Sequence, residues 1–194
     1  MIIIQSVYDG SFIHSRFAYK HFRDKTSPTG NIVAFRAPMK VEAAGMIDSE
    51  DLITNDFIYS DDAINFCWEI PNLDPFGAVS FQRLLNTQIA NILSTKYIKA
   101  PIEVAGDDLI VHKEHNNRGI IQPKGKASVS ITYSKNNVAL GHTAINIHTG
   151  SRAPVFAYST ALTSEQATSF MNDVIQIFNE MSADIYLATT KVIY

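Results

Sequence analysis

Residues 127–134 alternate with a period of two, with Ala127, Val129, Ile131 and Tyr133 on one side and Ser128, Ser130, Thr132 and Ser134 on the other. Successive side chains of a strand point to opposite faces, so this run predicts a strand with its apolar residues turned to the core and its hydroxyls turned away. Asn136-Asn137 follows, a tight-turn pair for a hairpin, and residues 138–147 supply the returning strand. Ile64, Phe66, Trp68 and Ile70 alternate with Ala63, Asn65, Cys67 and Glu69 in a third strand that ends at 71–77. Residues 31–36 read as a fourth, stopping before Pro38 because the residue ahead of a proline avoids helical geometry.

Helical spacing appears elsewhere. Phe81, Leu84, Leu85, Ile89, Ile92 and Leu93 form one stripe of a helix over about 79–93, with Arg83, Asn86, Thr87 and Asn91 on its other side. Thr163 and Gln166 match a capping box for a last helix that turns Phe170, Met171, Val174, Ile175, Phe178 and Met181 inward. Nearer the start, Ile2, Ile3, Ile4 and Val7 ahead of Asp9-Gly10 predict an opening strand. Ser11 caps a helix over 12–22, residues 24–30 break it, and 45–55 read as a loop with a short helix. The expected fold is a single α+β domain over 1–194, mostly antiparallel sheet with helices packed on one face.

Apolar residues make up 46% of the chain and charged residues 18%, which favours a packed core over disorder. A net charge of -3 and a pI near 6.0 lack the basic footprint of duplex binding, so nucleic acid is not an expected partner. The aromatic and basic mixture of Phe12, Tyr19, Lys20 and Arg23 is the local feature that favours one. No apolar stretch approaches the ~20 residues of a membrane span, and the apolar start is too short for a signal peptide. With a single cysteine, Cys67, beside Trp68, the expectation is a buried thiol in a reducing, cytoplasmic setting with no membrane partner.

Phosphate loops, paired-histidine zinc motifs and nucleophile elbows are missing. His142 and His148 lie six apart, on one face of an extended strand, either as plain sheet residues or as a metal pair lacking a third ligand; His112 and His115 flank a polar loop. Asp61-Asp62 and Asp107-Asp108 each precede a strand, where carboxylates solvate turns or bind magnesium. Arg36 and Lys40 bracket Ala37-Pro38 on the way out of a strand, and Lys124 and Lys126 bracket Gly125 on the way into another. Arginine grips carboxylate or phosphate bidentately, whereas lysine is a movable point charge. Gln82 and Arg83 sit near a helix start, where an anion is favoured.

Tyr8-Asp9-Gly10-Ser11, Val33-Ala34-Phe35-Arg36, Met46-Ile47-Asp48, Gln82-Arg83-Leu84-Leu85, Gly106-Asp107-Asp108 and Lys126 with Ser128-Val129-Ser130-Ile131, taken in order, resemble an uncharacterised family of small, mainly archaeal proteins, domain of unknown function number 366. The second half is also similar to biotin and lipoate protein ligases, with Asp107-Asp108, Lys126 and Asn146 at the matching positions. That resemblance implies a biotin/lipoate ligase-like fold, with Lys126 as the acyl contact and candidate catalytic residue. His142 and Ala144 stand where those enzymes have glycines, and no Gly-rich nucleotide loop lies near Arg36; bulk there crowds a backbone that must approach a ligand closely. The candidate ligand contacts are Asp9, Arg36, Lys40, Gln82, Arg83, Asp107, Asp108 and Asn146. Arg36, Lys126 and one of Asp107 and Asp108 are expected to converge on one concave site. The expected function is a ligase-like or transferase-like enzyme taking a small acyl or anionic ligand. The alternatives are a non-catalytic ligand-binding module or, third, a nucleic-acid or partner-binding protein. No cofactor is assigned, and a homodimer stays open.

Overall fold

A computed structural model describes residues 6–23, 27–54, 56–112 and 125–191. In chain order these form α1 (Ser11–His14), α2 (Phe17–Phe22), β1 (Asn31–Val41), α3 (Ser49–Thr54), β2 (Ile58–Pro71) and α4 (Pro75–Ile92), which runs on into a π turn (Leu93–Ile98). After it come β3 (Ile102–Ala105), β4 (Asp108–Val111), β5 (Gly125–Lys126), β6 (Ser128–Lys135), β7 (Val138–His148) and α5 (Ser164–Thr189). The four long strands make one antiparallel sheet in the order β1-β2-β7-β6, and β3-β4-β5 make a smaller one.

The hairpin between β6 and β7 forms where expected. Asn136 and Asn137 both take positive φ, 53° and 59°, the pair of left-handed residues that closes a two-residue turn in step with strand twist. Asp74 caps α4 by accepting from the Gly77 amide at 2.7 Å, with Pro75 at its first turn, where a missing N–H costs nothing. The α5 capping box is present: the Thr163 amide donates to Gln166 Oε1 at 2.9 Å, and the Gln166 amide donates to Thr163 Oγ1 at 3.2 Å.

Both faces of the large sheet are covered. Ile32, Ile64, Phe66, Trp68 and Ile145 pack on one face against Phe81, Leu85 and Ile89 of α4 and Phe170, Val174 and Phe178 of α5. Val33, Phe35, Met39, Ala63, Cys67 and Ala144 pack on the other against Tyr8 and Ala18, with Phe12 and Phe17 beside them. Burial therefore runs unbroken from Ala63 to Ile70 in the central strand β2, although its sequence alternates. A side chain at Gly141 would run into the Trp68 indole, so a glycine there lets the ring lie flat on β7.

Besides two strand bounds, since β1 runs on through Pro38 to Val41 by way of a bulge between Ala37 and Met39 and β2 begins at Ile58 and so already contains Asp61-Asp62, three expectations are corrected. First, β6 is turned over: Ser128 and Ser130 are 0% and 8% exposed, whereas Val129 and Ile131 are only half-buried. The reason is a polar network under α4, in which Gln82 Nε2 (2.9 Å) and Asn86 Nδ2 (3.2 Å) donate to Ser130 Oγ, while Ser128 Oγ accepts the Leu109 amide at 2.9 Å. Buried hydroxyls and amides that satisfy one another beat the apolar alternation. Second, the α4 stripe is shifted by the same network, with Asn86 fully buried and Leu84 40% exposed. Third, the single helix over 12–22 is two short ones, broken at Arg16 in the left-handed region at φ 54°, and Asp9 rather than Ser11 serves the first turn. Of the expected opening strand, residues 1–5 lie outside the described residues; Tyr8 makes a single parallel bridge to Met39.

Candidate functional site

The face of β6 left uncovered by α1 and α2 opens into a cavity of about 240 Å³. Met39 and Val41 of β1, Ile58 of β2, Val129 and Ile131 of β6 and Tyr8 supply its apolar lining, so the inverted register of β6 is what places two apolar side chains there. One wall is made where two backbones touch. Gly10, at φ 88°, lies against the Gly45 carbonyl, and a Cβ on either residue would overlap the other strand of chain.

Lys126 stands at the mouth. Its Nζ lies 2.7 Å from Asp108 Oδ1, with the two side chains 32% and 31% exposed. Asp107, Asp48, Glu50 and Asp51 also line the cavity, so five carboxylates surround one ammonium. Burial and the neighbouring Asp48 raise the Asp51 carboxyl above its ordinary pKa, against the pull of Lys126. A second, smaller depression of about 80 Å³ shares Ile58, Lys126 and Val129 with the first and includes Asn146, whose Oδ1 is buried with no partner among the described residues.

Behind the cavity, Gln82 and Arg83 act as supports. Gln82 Oε1 accepts from Arg83 Nη1 at 2.7 Å, and Arg83 Nη2 sits 3.6 Å from Asp107 Oδ1, so α4 braces the Asp107 loop from the far side of β6. Asn86 Nδ2 adds a bond to the Asp107 carbonyl at 3.0 Å.

The cavity thus brings together Lys126, Asp107 and Asp108, with Asn146 next door. It does not include Arg36, which corrects the expected convergence. The parity of β1 sends Arg36 to the helix-covered face with Ile32 and Ala34, where its guanidinium pairs with Asp62 and donates to Ser164 Oγ at 2.9 Å at the start of α5. Lys40 pairs with Glu42 at 2.7 Å, both exposed. Asp9 accepts from the Ser11 amide (2.9 Å) and hydroxyl (2.6 Å), bonds that hold its carboxyl below the ordinary pKa. Asp9 and Lys40 line a separate shallow depression. Asp61 accepts from the Tyr59 hydroxyl at 2.7 Å and lies 3.8 Å from His148 Nδ1, so His148 and His142 do not share a partner. Lys124 and His115 fall outside the described residues.

Sequence reasoning missed His142 and Tyr8 as site residues. His142 lines the cavity, its ring stacked on Tyr8 with centroids 3.9 Å apart and planes 12° from parallel, and burial depresses its pKa to about 3. The available signal was the histidine at a position where the ligases have glycine.

No helix among the described residues is long and apolar enough to cross a membrane. No curated protein matches the sequence. Among solved structures, a protein of unknown function from Pyrococcus horikoshi is similar at 26% identity and a TM-score of 0.79, over 100% of this chain and 97% of that one. Lipoate-protein ligase A bound with ATP is similar at 11% identity and a TM-score of 0.52, over 91% of this chain and 84% of that one. A T. acidophilum protein assigned as a lipoate protein ligase, with lipoic acid bound, is similar at 10% identity and a TM-score of 0.50, over the same shares. The two ligases share the fold of this chain: antiparallel sheet and helices in the lipoate ligase arrangement. The family model described as Domain of unknown function (DUF366) matches residues 1–193, and the chain belongs to that family.

Proposed function

We propose that this protein is a ligase-like protein that holds a small acyl-type ligand in the cavity over β6, with Lys126 contacting a carbonyl or carboxylate oxygen of that ligand. One observation carries the reading: an ammonium pinned by Asp108 stands at the polar rim of a cavity whose floor of Met39, Val41, Ile58, Val129 and Ile131 is apolar, the polar-head, apolar-body layout of a small-ligand site. At about 240 Å³ the cavity is below the 300–1,000 Å³ usual for drug-sized ligands, which favours a compact acid. The solved neighbour bound to lipoic acid supports the same ligand class by fold alone.

The acidic rim favours binding of the acid without adenylation. Five carboxylates against one lysine repel a multiply charged polyphosphate more than a singly charged acid, and His142 fills the sheet where the resembling ligases have glycine. A non-catalytic or transferase role therefore ranks above an ATP-consuming one. Thermal unfolding in the presence of octanoic acid, lipoic acid, biotin or ATP with Mg²⁺ tests this. A bound acid at about 100 times its Kd raises native stability by about 2.7 kcal/mol, and Lys126→Ala should weaken its binding by about 1.5 to 3 kcal/mol. Folding of the variant should change by less than about 1 kcal/mol, since the lost pair is a third exposed. Stabilisation by ATP alone would reverse the ranking, and no stabilisation by any of the acids would overturn the proposal.

A further inference from the structure

The cavity holds a polar group whose orientation is dictated by its neighbours. Asn65, fully buried on β2, uses its Nδ2 to donate to the carbonyls of Ala37 and Ala63, at 3.3 Å each. Carbonyl oxygens only accept, so the amide cannot be turned the other way, and Asn65 Oδ1 is the atom that meets His142 Nε2 at 3.0 Å. Oδ1 also only accepts. The proton between them must therefore sit on Nε2, and the imidazole is locked as the Nε2–H tautomer with its lone pair on Nδ1.

The ring cannot escape this arrangement. It is 1% exposed, stacked on Tyr8, and in register with Cys67 on β2 and Ile131 on β6. Burial keeps it neutral down to about pH 3, so Nδ1 remains an acceptor at any ordinary pH. Among the described residues only Nε2 of the ring has a hydrogen-bond partner, and the cavity residues shown beside it, Tyr8 stacked on the ring and Ile131 opposite it on β6, are mainly apolar. A fixed acceptor in an apolar surround discriminates sharply, because a ligand lacking a matching donor leaves it unpaired.

We propose that His142 Nδ1 accepts a hydrogen bond from an N–H or O–H donor on the buried part of the ligand, and so selects small acids whose body carries such a donor over acids whose body is purely apolar. This rests on the reading that the cavity binds a small acid through Lys126. The ligand class becomes specific: a carboxyl or carbonyl at the Lys126 end, and a donor-bearing ring or amide at the His142 end.

Biotin and lipoic acid test it as a matched pair. Both end in the same valeric acid chain, so the Lys126 contact is common to them, but the biotin ring system carries ureido N–H donors and the dithiolane of lipoic acid carries none. Calorimetric titration of the native protein should give biotin the tighter Kd, by roughly threefold to tenfold, the scale of one neutral hydrogen bond. His142→Phe keeps a ring over Tyr8 and removes the acceptor, and should bring the two affinities together, whereas Lys126→Ala should weaken both alike. Equal or tighter binding of lipoic acid by the native protein, or a biotin preference that survives in His142→Phe, would overturn the His142 assignment while leaving the cavity reading intact. Failure of both acids to bind would remove the cavity reading itself. Should His142→Phe not fold, the ¹⁵N resonances of the native His142 ring decide the matter. An Nε2–H tautomer whose Nδ1 resonance moves on adding biotin supports the assignment, and an Nδ1–H tautomer or an unmoved Nδ1 overturns it.

Discussion

The Arg36 guanidinium and the Asp62 carboxylate form a bidentate pair across β1 and β2, with Arg36 Nε 2.8 and 3.0 Å from the two oxygens of Asp62. The Asp62 hydrogen bonds raise the already high pKa of Arg36 further. Its third contact, to Ser164, joins the sheet to the first residue of α5. An arginine so engaged serves the packing of α5. Arg36→Ala should therefore lower stability by about 0.5 to 1 kcal/mol, a modest figure because the pair is partly exposed. It should leave the affinity for any cavity ligand unchanged. Urea unfolding and a ligand titration on the same variant check both halves, and a lost affinity would return Arg36 to the site.

Removing the Ser130 hydroxyl should be costly in a way the sequence alternation does not suggest. Ser130 Oγ accepts from Gln82 and Asn86 and lies 2.9 Å from Thr143 Oγ1, all within the buried layer under α4. Ser130→Ala leaves buried amide donors without an acceptor and should cost about 1 to 3 kcal/mol in urea unfolding. A neutral result would mean that the network contributes nothing to the orientation of β6.

Stability should fall in acid through His142. Its folded pKa is depressed from 6.5 to about 3 by burial, so below 6.5 the unfolded chain takes up a proton at this ring that the folded chain refuses. The contribution is fully present above about pH 6.5 and is lost as the pH falls towards 3, with a slope of at most about 1.4 kcal/mol per pH unit. His142→Gln removes this titration while every carboxylate stays in place. Urea midpoints of native and variant protein should therefore converge as the pH is lowered from about 7 to about 5. Parallel profiles would place the acid sensitivity elsewhere.

Cys67 should be inert. It is buried between β1 and β7 on the face that carries Tyr8, and burial pushes its thiol well above the ordinary range. A thiol reagent should modify it only as the protein unfolds. Cys67→Ser, which places a hydroxyl among apolar neighbours, should cost about 1 to 3 kcal/mol without altering ligand affinity. Rapid labelling of native protein would contradict the packing described.

Local pattern was enough to locate the strands of the main sheet and the two long helices, though not the break at Arg16 between α1 and α2 or the run of β1 past Pro38. The β6–β7 hairpin, the turn at Asn136-Asn137, the capped α5 and the four strands of the main sheet all rest on interactions a few residues long: backbone preference, side-chain period and caps. The grouping of Lys126 with Asp107 and Asp108 was likewise legible from a resemblance in sequence order. Which face of each strand lies inward was decided only in three dimensions. In β6 the serines went in because Gln82, Asn86 and Thr143, 13 to 48 residues away, arrive with complementary hydrogen bonds, and this turned Val129 and Ile131 into cavity lining. In β1 the parity that buries Phe35 sends Arg36 to the opposite side from Lys126. His142 joined the cavity lining only once Tyr8 stacked on its ring and Asn65 Oδ1 met its Nε2. A period-two pattern marks two faces but cannot say what will cover each, because the partners that satisfy a buried polar group come from distant parts of the chain.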